Sequence, residues 1–228
     1  MDRGTLGIGV PRLTVRLQQT LDGIVLRTYD VGEADRLCVL FTRERGRLAA
    51  RARAVRKPGS RTGALLLPGR RVTLDLRDDG GGATIAAARL NGEVADVSNA
   101  LALAAAQQGI ELLLMLTEDD EPLPAVFDLL YQFLHACAVD PAGARLAFQL
   151  RLLHLLGLLP AHLDDRRFTA LDDRERAAVL LCGKTPDFGA LCAAVEQGEG
   201  LRAFADALLR EHAPRDLRSS AVYSSLSA

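Results

Sequence analysis

The sequence is poor in the residues that build cofactor pockets, metal sites and disulfide frameworks. Its 228 residues include no tryptophan, two methionines, three tyrosines and seven phenylalanines. The four cysteines are scattered, and no two of them form a CxxC pair. A disulfide framework or a structural zinc site needs closely paired ligands, so we expect neither, and unpaired cysteines are typical of a reducing compartment.

A long apolar run is also missing. The most apolar stretch, residues 146–160, is interrupted by polar side chains and is too short to span a bilayer. Residues 1–19 contain three arginines and no continuous apolar core, so they do not resemble a secretory signal. We therefore expect a soluble cytoplasmic protein without a membrane partner, and we interpret residues 1–19 as a loose tail.

Catalytic constellations are absent from the sequence pattern. The four histidines have no HxxxH or HExxH spacing, and no nucleophile, base and acid occur together in a familiar arrangement. Gly183, Lys184 and Thr185 resemble the end of a phosphate-binding loop, but that loop needs a glycine where Ala178 stands, and Pro186 follows at once. We expect no catalytic residues, no cofactor and no enzyme activity.

Charge, in contrast, is strongly segregated along the chain. Ten of the 28 basic side chains lie between Arg43 and Arg71 with a single acid, Glu44, which leaves 18 basic and 28 acidic side chains elsewhere. Segregation of this size is typical of a protein in which one face meets a polyanion. Residues 93–140 contain nine acids and no lysine or arginine, and we interpret them as a solvated acidic surface that does not bind DNA.

Within the basic segment, three arginines alternate with apolar residues over residues 47–54. A period of two predicts a strand whose arginines share the solvent face and whose apolar residues face a core. A basic loop follows, which Gly59 and Ser60 are expected to make mobile. The predicted nucleic-acid-binding residues are Arg47, Arg51, Arg53, Arg56, Lys57 and Arg61.

Aromatic content indicates how nucleic acid would be held. Residues 20–93 contain two aromatic residues, Tyr29 and Phe41, and Phe41 is in phase with Leu37 and Val39, which predicts a core position. With so few aromatics for base stacking, affinity is expected to come from phosphate neutralisation, to be independent of sequence and to fall steeply with salt. Replacing Arg47, Arg51 and Arg53 together is expected to remove most DNA binding without unfolding the domain.

The chain divides into two halves with different periodicities. Strands are predicted at residues 24–29, 36–42, 47–55, 71–77 and 83–90, and helices at residues 98–115, 125–138, 141–156, 172–181, 188–197 and 201–212. Ser98 is a candidate N-cap, and Asp172 and Asp173 suit a helix start. The prediction is an α+β chain of two domains, with an OB-fold β-barrel at residues 20–93 and an all-α domain at residues 94–228.

Two motifs in a fixed order carry a family resemblance. The first comprises residues 32–37, 39–42 and 46–48, and it leads into a basic loop at residues 52–57, Ser60 and a Leu-x-Pro segment at residues 66–68. The second is the leucine-rich FQLRLLHLLGLLP run at residues 148–160, and residues 217–219 add a faint terminal echo. In order and spacing these motifs resemble the RecO family of bacterial recombination mediators over about residues 21–165.

This resemblance implies an OB-fold followed by a helical domain, and a non-enzymatic role in recombinational DNA repair. The implied activities are binding and annealing of single-stranded DNA and help in loading the RecA recombinase. The implied partners are single- and double-stranded DNA, RecR and the single-stranded-DNA-binding protein, at the nucleoid. Two alternatives remain open from the residues alone: an OB-fold adaptor for an acidic protein, and an RNA-binding module without annealing activity.

The chain departs from the family pattern where many members hold zinc. In those members the LGxxP segment is followed by CxxC and later by a second cysteine pair, whereas residues 161–168 here contain no cysteine. Cys182 and Cys192 have no partners, and we interpret both as apolar residues on helical faces. We predict that no metal is bound.

The resemblance also implies that the helical domain captures the acidic C-terminal tail of the single-stranded-DNA-binding protein, which ends in an apolar residue. Arg145, Phe148 and Arg151 are spaced three apart and can share a helical face, so they are the candidate partner-binding residues. In the alternative interpretation, Phe148 belongs to the core and the arginines only border it.

Overall fold

The computed structural model describes residues 17–78, 82–95, 99–160, 165–195 and 198–213, together with residues 219, 225 and 226. Residues 1–16, the greater part of the predicted tail, lie outside this range. The elements, in chain order, are β1 (Leu17–Val31), β2 (Asp35–Thr42), β3 (Gly46–Ala52), α1 (Arg61–Leu65), β4 (Arg71–Asp78), β5 (Ala83–Leu90), α2 (Ala100–Leu116), α3 (Pro124–Ala136), α4 (Pro141–Leu155), α5 (Arg166–Thr169), α6 (Asp173–Leu181), α7 (Phe188–Val195) and α8 (Glu199–His212).

The five strands form a closed barrel in the order β1-β2-β3-β5-β4, in which β4 returns to β1. The β3–β5 pairing is parallel and the other pairings are antiparallel. The short helix α1 lies between β3 and β4. This is an OB-like barrel followed by a helical region, which confirms the predicted fold class.

Strand β1 is much longer than the predicted segment 24–29. It begins at Leu17, inside the predicted tail, and its first half pairs with β4 while its second half pairs with β2. A bulge between Val25 and Arg27 bends the strand between these two partners. The start of β1 has no apolar alternation, so its strand conformation depends on its pairing with β4 rather than on its own sequence pattern.

Strand β3 shows the predicted alternation, but it is shorter than predicted. Leu48, Ala50 and Ala52 are buried and Arg51 is exposed. The strand ends at Ala52, and Ala54 is exposed with a positive φ of 57°. Ala54 therefore faces solvent in a turn, which corrects the expectation that it lines the core.

The helices follow the predicted order, and their ends are set by capping residues. Asn99 caps α2 by accepting hydrogen bonds from the backbone N–H groups of Leu101 and Ala102, and the predicted cap, Ser98, lies outside the described residues. Asp172 caps α6 in a reciprocal capping box with Glu175, as the acid pair predicted. Helix α5 was not predicted, because four residues are too few to show helical periodicity. Among the described helices, none is long and apolar enough to cross a membrane.

The protein has two hydrophobic cores. One fills the barrel and includes Leu40, Leu74 and Val72. The other belongs to the helices, but it also takes in Ile24, Leu26 and Phe41 from the outside of β1 and β2. The prediction that Phe41 is buried is therefore confirmed, and its place is the contact between the barrel and the helices. This shared core fixes which side of the barrel the helical region covers.

Candidate nucleic-acid interface

Three arginines lie at the turn of the β2–β3 hairpin, and the helical region neutralises all three. Arg43 pairs with Asp128, Arg45 with Asp120 and Arg47 with Asp119. These three acids all come from the acidic stretch 93–140. That stretch was expected to be a solvated surface, but part of it docks on the basic hairpin because opposite charges meet where the two regions share a core.

Arg47 is the most deeply engaged of the predicted DNA-binding residues. Its side chain is 17% exposed, and besides Asp119 it donates a hydrogen bond of 2.6 Å from Nη1 to the carbonyl of Leu114. Its own carbonyl accepts a 2.8 Å bond from the N–H of Asp120, and residues 47 and 119 form a parallel β-bridge. The expectation that Arg47 stands on the solvent face is therefore wrong, because the connector between α2 and α3 (residues 117–123) covers this part of β3.

Replacing Arg47 by alanine is expected to lower the free energy of unfolding by about 1–3 kcal/mol, since a partly buried carbonyl and a carboxylate lose their donor. Urea denaturation followed by circular dichroism measures this loss. Arg51→Ala is the matched control, because the Arg51 side chain is 50% exposed and pairs at the surface with Asp35. Equal losses in the two variants would contradict a structural role for Arg47.

Arg71 is a second cation with a structural role. It holds Asp22 through Nη2 at 2.6 Å and Nε at 3.0 Å, and its guanidinium lies 4.6 Å from the ring centre of Tyr131 and 5.4 Å from that of Phe127. The hydrogen bond to Asp22 raises the pKa of Arg71 above its already high ordinary value. Arg43 lies over the same Phe127 ring at 5.2 Å. These cations attach the barrel to α3 through cation–π contacts.

The opposite end of β3 is organised around Asp35. This carboxylate accepts a 2.8 Å bond from Nε of Arg51 and another 2.8 Å bond from the backbone N–H of Ala54. The bond from Ala54 is the main cause of the lowered pKa of Asp35, and Arg51 and Arg53 act in the same direction. Asp35 thus holds the first turn of the basic loop against β2.

The middle of the loop is anchored as well. Arg56 donates to the carbonyl of Gly32 at 2.8 Å and lies 3.2 Å from a carboxylate oxygen of Asp30. Ser60, which was expected to loosen the loop, instead caps α1 by accepting a 3.1 Å bond from the N–H of Gly63. The basic loop is therefore tied to the β1–β2 turn at its centre and to α1 at its end.

Three cations of this loop and the start of α1 are exposed, and their side chains make neither a hydrogen bond nor an ion pair within the part of the chain that the structure describes: Arg53, Lys57 and Arg61. Of the six predicted DNA-binding residues, the structure brings five together at this end of the barrel and places Arg47 at the other. We call this end, comprising residues 29–37 and 51–61, the open end of the barrel. It contains six cations and three carboxylates.

The candidate partner-binding residues do not form an exposed apolar pocket. Phe148 is 1% exposed, and its ring stacks on Phe133 with the centroids 4.2 Å apart. Arg151 donates a 2.5 Å bond to the carbonyl of Thr185, and Arg145 is half-buried. A side chain that is enclosed on every side cannot contact a peptide. Phe148 is therefore a core residue, as the alternative interpretation expected.

The cysteines occupy apolar positions. Cys38, Cys137 and Cys182 are buried and Cys192 is half-buried. Burial raises the pKa of Cys38, Cys182 and Cys192 to about 11 in each case, and it raises that of Cys137 further. Such thiols stay protonated at neutral pH. Among the described residues, no group of three or more potential metal ligands occurs.

Comparisons with known proteins agree with this architecture. The family model described as Recombination protein O N terminal matches residues 17–92, which contain the barrel. The model described as Recombination protein O C terminal matches residues 97–165, which contain α2 to α4. The two matches follow one another along the chain in the order of the two structural regions.

Curated relatives carry the same name. The proteins called DNA repair protein RecO from Bacillus mycoides (strain KBAB4), Bacillus cereus (strain AH187) and Bacillus anthracis are each 32% identical to this chain over 145 residues. The aligned region is 62% of this chain and 58% of the length of each of those relatives. With both family domains matched in order on a barrel and the helices that follow it, this chain belongs to the RecO family of DNA repair proteins.

Proposed function

We propose that this protein is a non-enzymatic mediator of recombinational DNA repair that binds single-stranded DNA at the open end of its barrel. The observation that carries the proposal is the trio Arg53, Lys57 and Arg61, which face solvent without ion-pair partners among the described residues. Cations without partners can neutralise phosphates at no cost in broken ion pairs. The paired hairpin arginines would have to release a carboxylate first.

Charge balance supports the same location. The open end holds three more cations than carboxylates, whereas the three arginines at the hairpin turn are matched one to one by Asp119, Asp120 and Asp128. A surface with an excess of arginine and lysine holds DNA through its backbone and leaves base edges free to pair. This property suits the annealing of two complementary strands, and we include annealing in the proposal.

Family membership supports the remaining parts of the proposal. The protein would help to load the RecA recombinase, work with RecR and the single-stranded-DNA-binding protein, and contact double-stranded as well as single-stranded DNA at the nucleoid. The tail of the single-stranded-DNA-binding protein would then dock on a part of the helical region other than Phe148, which is enclosed in the core.

The test is a charge-removal series read by fluorescence anisotropy with a labelled single strand at several salt concentrations. Replacing Arg53, Lys57 and Arg61 by alanine is expected to lower the slope of log K against log salt by about 2, since each lost phosphate contact removes about 0.7. The matched control removes three exposed arginines from the helical region, Arg166, Arg174 and Arg202, which also make no side-chain bond to a described residue.

The control variant loses the same amount of charge, but it loses it from the helical region. We therefore expect it to keep the salt slope of the parent. An unchanged salt slope in the loop variant would place the DNA elsewhere. An equal loss of slope in both variants would mean that net charge alone causes the effect. Parallel titrations with duplex DNA and RNA distinguish the proposal from an RNA-binding role. If the parent protein binds neither single-stranded DNA, duplex DNA nor RNA, the adaptor interpretation is the one that remains.

A further inference from the structure

Tyr29 has an aromatic side chain on the outside of the barrel, where it takes no part in core packing. Among the aromatic residues that the structure describes, it is the most exposed, at 47%, while all seven phenylalanines are buried. Its hydroxyl accepts a long 3.5 Å bond from Nη1 of Arg27, and its ring is involved in none of the aromatic or cation–π contacts among the described residues. An exposed ring of this size on a strand is available for contact with a ligand.

The strand register places Tyr29 beside the cations of the open end. Tyr29 on β1 is opposite Leu37 on β2, and Leu37 is opposite Arg51 on β3. Residues paired in this way project from the same face of the sheet, and neighbouring strands are about 4.8 Å apart. The row continues through Thr84 on β5 to Arg77 on β4, and Arg77 is exposed.

The helical region covers part of this outer face. Further along the same three strands, Val39 and Phe41 pack into the helical core, and Arg47 pairs with Asp119. A nucleic acid cannot lie there without displacing the helices. The row that contains Tyr29 lies beyond that contact, next to the loop that carries Arg53, Lys57 and Arg61.

We infer that Tyr29 is a base-stacking residue, on which one unpaired base of a single strand lies while its phosphates face Arg51 and the loop cations. The inference rests on the proposed function and deepens it. An aromatic face accepts any base, so the contact adds affinity without selecting a sequence. A duplex keeps its bases stacked on each other, so the contact also gives the site a preference for single strands. This differs from the expectation that phosphate contacts alone supply the affinity.

Tyr29→Leu and Tyr29→Phe test the inference, because leucine keeps apolar bulk without a π face and phenylalanine keeps the ring without its hydroxyl. Anisotropy is measured with a single strand of thymidines, with a strand of the same length that has abasic positions throughout its centre, and with a duplex. Tyr29→Leu is expected to weaken binding to the thymidine strand at least about fivefold, the lower end of what one base stack contributes. Tyr29→Phe is expected to match the parent.

Three further results are expected of Tyr29→Leu, and each separates stacking from charge. Its binding to the abasic strand and to the duplex is unchanged, and its salt slope equals that of the parent, because no phosphate contact is lost. Equal affinity of Tyr29→Leu and parent for the thymidine strand would overturn the inference and leave the proposed function intact. A parent that does not bind the thymidine strand would overturn both.

Discussion

Replacement of Phe148 by alanine is expected to lower the free energy of unfolding by about 3–5 kcal/mol, the range for a large side chain removed from a packed core. Phe148 is 1% exposed and stacks on Phe133, and its helix α4 packs against α2, α3, α7 and α8. The neighbouring backbones belong to several helices, so they cannot all move in to fill the space that the ring leaves. Urea denaturation measures the loss.

Val139→Ala is the control for this measurement, because Val139 is 88% exposed and its replacement is expected to change stability by no more than about 0.5 kcal/mol. The same pair of variants also tests the earlier view of Phe148 as part of a peptide pocket. A stable Phe148→Ala protein that no longer binds the acidic tail peptide would restore that view. A destabilised protein agrees with the core position.

Replacement of Gly46 by alanine is expected to cost at least about 2 kcal/mol of unfolding free energy. Gly46 begins β3 with a φ of +68°, and a Cβ atom at this position would lie 1.8 Å from the backbone carbonyl oxygen of Glu121. The connector would have to withdraw from the hairpin, and the bridge between residues 47 and 119 would open. The substitution therefore adds the loss of this docking contact to the strain of the turn.

Gly32→Ala separates these two contributions. Gly32 has a similar φ of +58°, but a Cβ atom there would meet nothing within 4 Å. Its cost is expected to be that of the left-handed backbone alone, about 1–2 kcal/mol. If both glycine variants unfold at the same denaturant concentration, the connector does not press on the hairpin as the structure places it.

The Gly46 prediction concerns the contact between the barrel and the helical region, and this contact also brings the basic and acidic segments of the chain together. The basic segment and the acidic stretch are separate in sequence, yet three of their ion pairs join them in the folded protein. Because the arginines at the hairpin turn are neutralised, the open end exposes more unbalanced positive charge than the hairpin turn does. Under the proposed function, the docking of the helices thereby determines where DNA binds.

Much of this architecture follows from the sequence, because local patterns depend on backbone geometry. The period of two at residues 47–52 identified β3 and the inward side of Leu48, Ala50 and Ala52. The acids at residues 172 and 173 identified the start of α6, where carboxylates satisfy free N–H groups. The order of short strands and then helices was sufficient for the fold class.

The roles of individual side chains depended on contacts between distant segments. Arg47 and Arg51 have the same place in the alternation, but Arg47 meets Asp119, which is 72 positions away, and Arg51 meets Asp35 across one hairpin. Phe148 likewise has a helical position that suits a pocket or a core, and Phe133 from a neighbouring helix decides between them.

The sequence by itself determined a barrel followed by helices and a concentration of arginine between residues 43 and 71. Only the tertiary structure decided which of those arginines remain exposed and without a carboxylate partner among the described residues. The reason is physical: side-chain periodicity is set by neighbours along the chain, whereas neutralisation and burial are set by whatever segment docks on the surface. In this protein the acidic connector docks on the hairpin, and the loop after β3 keeps its cations exposed.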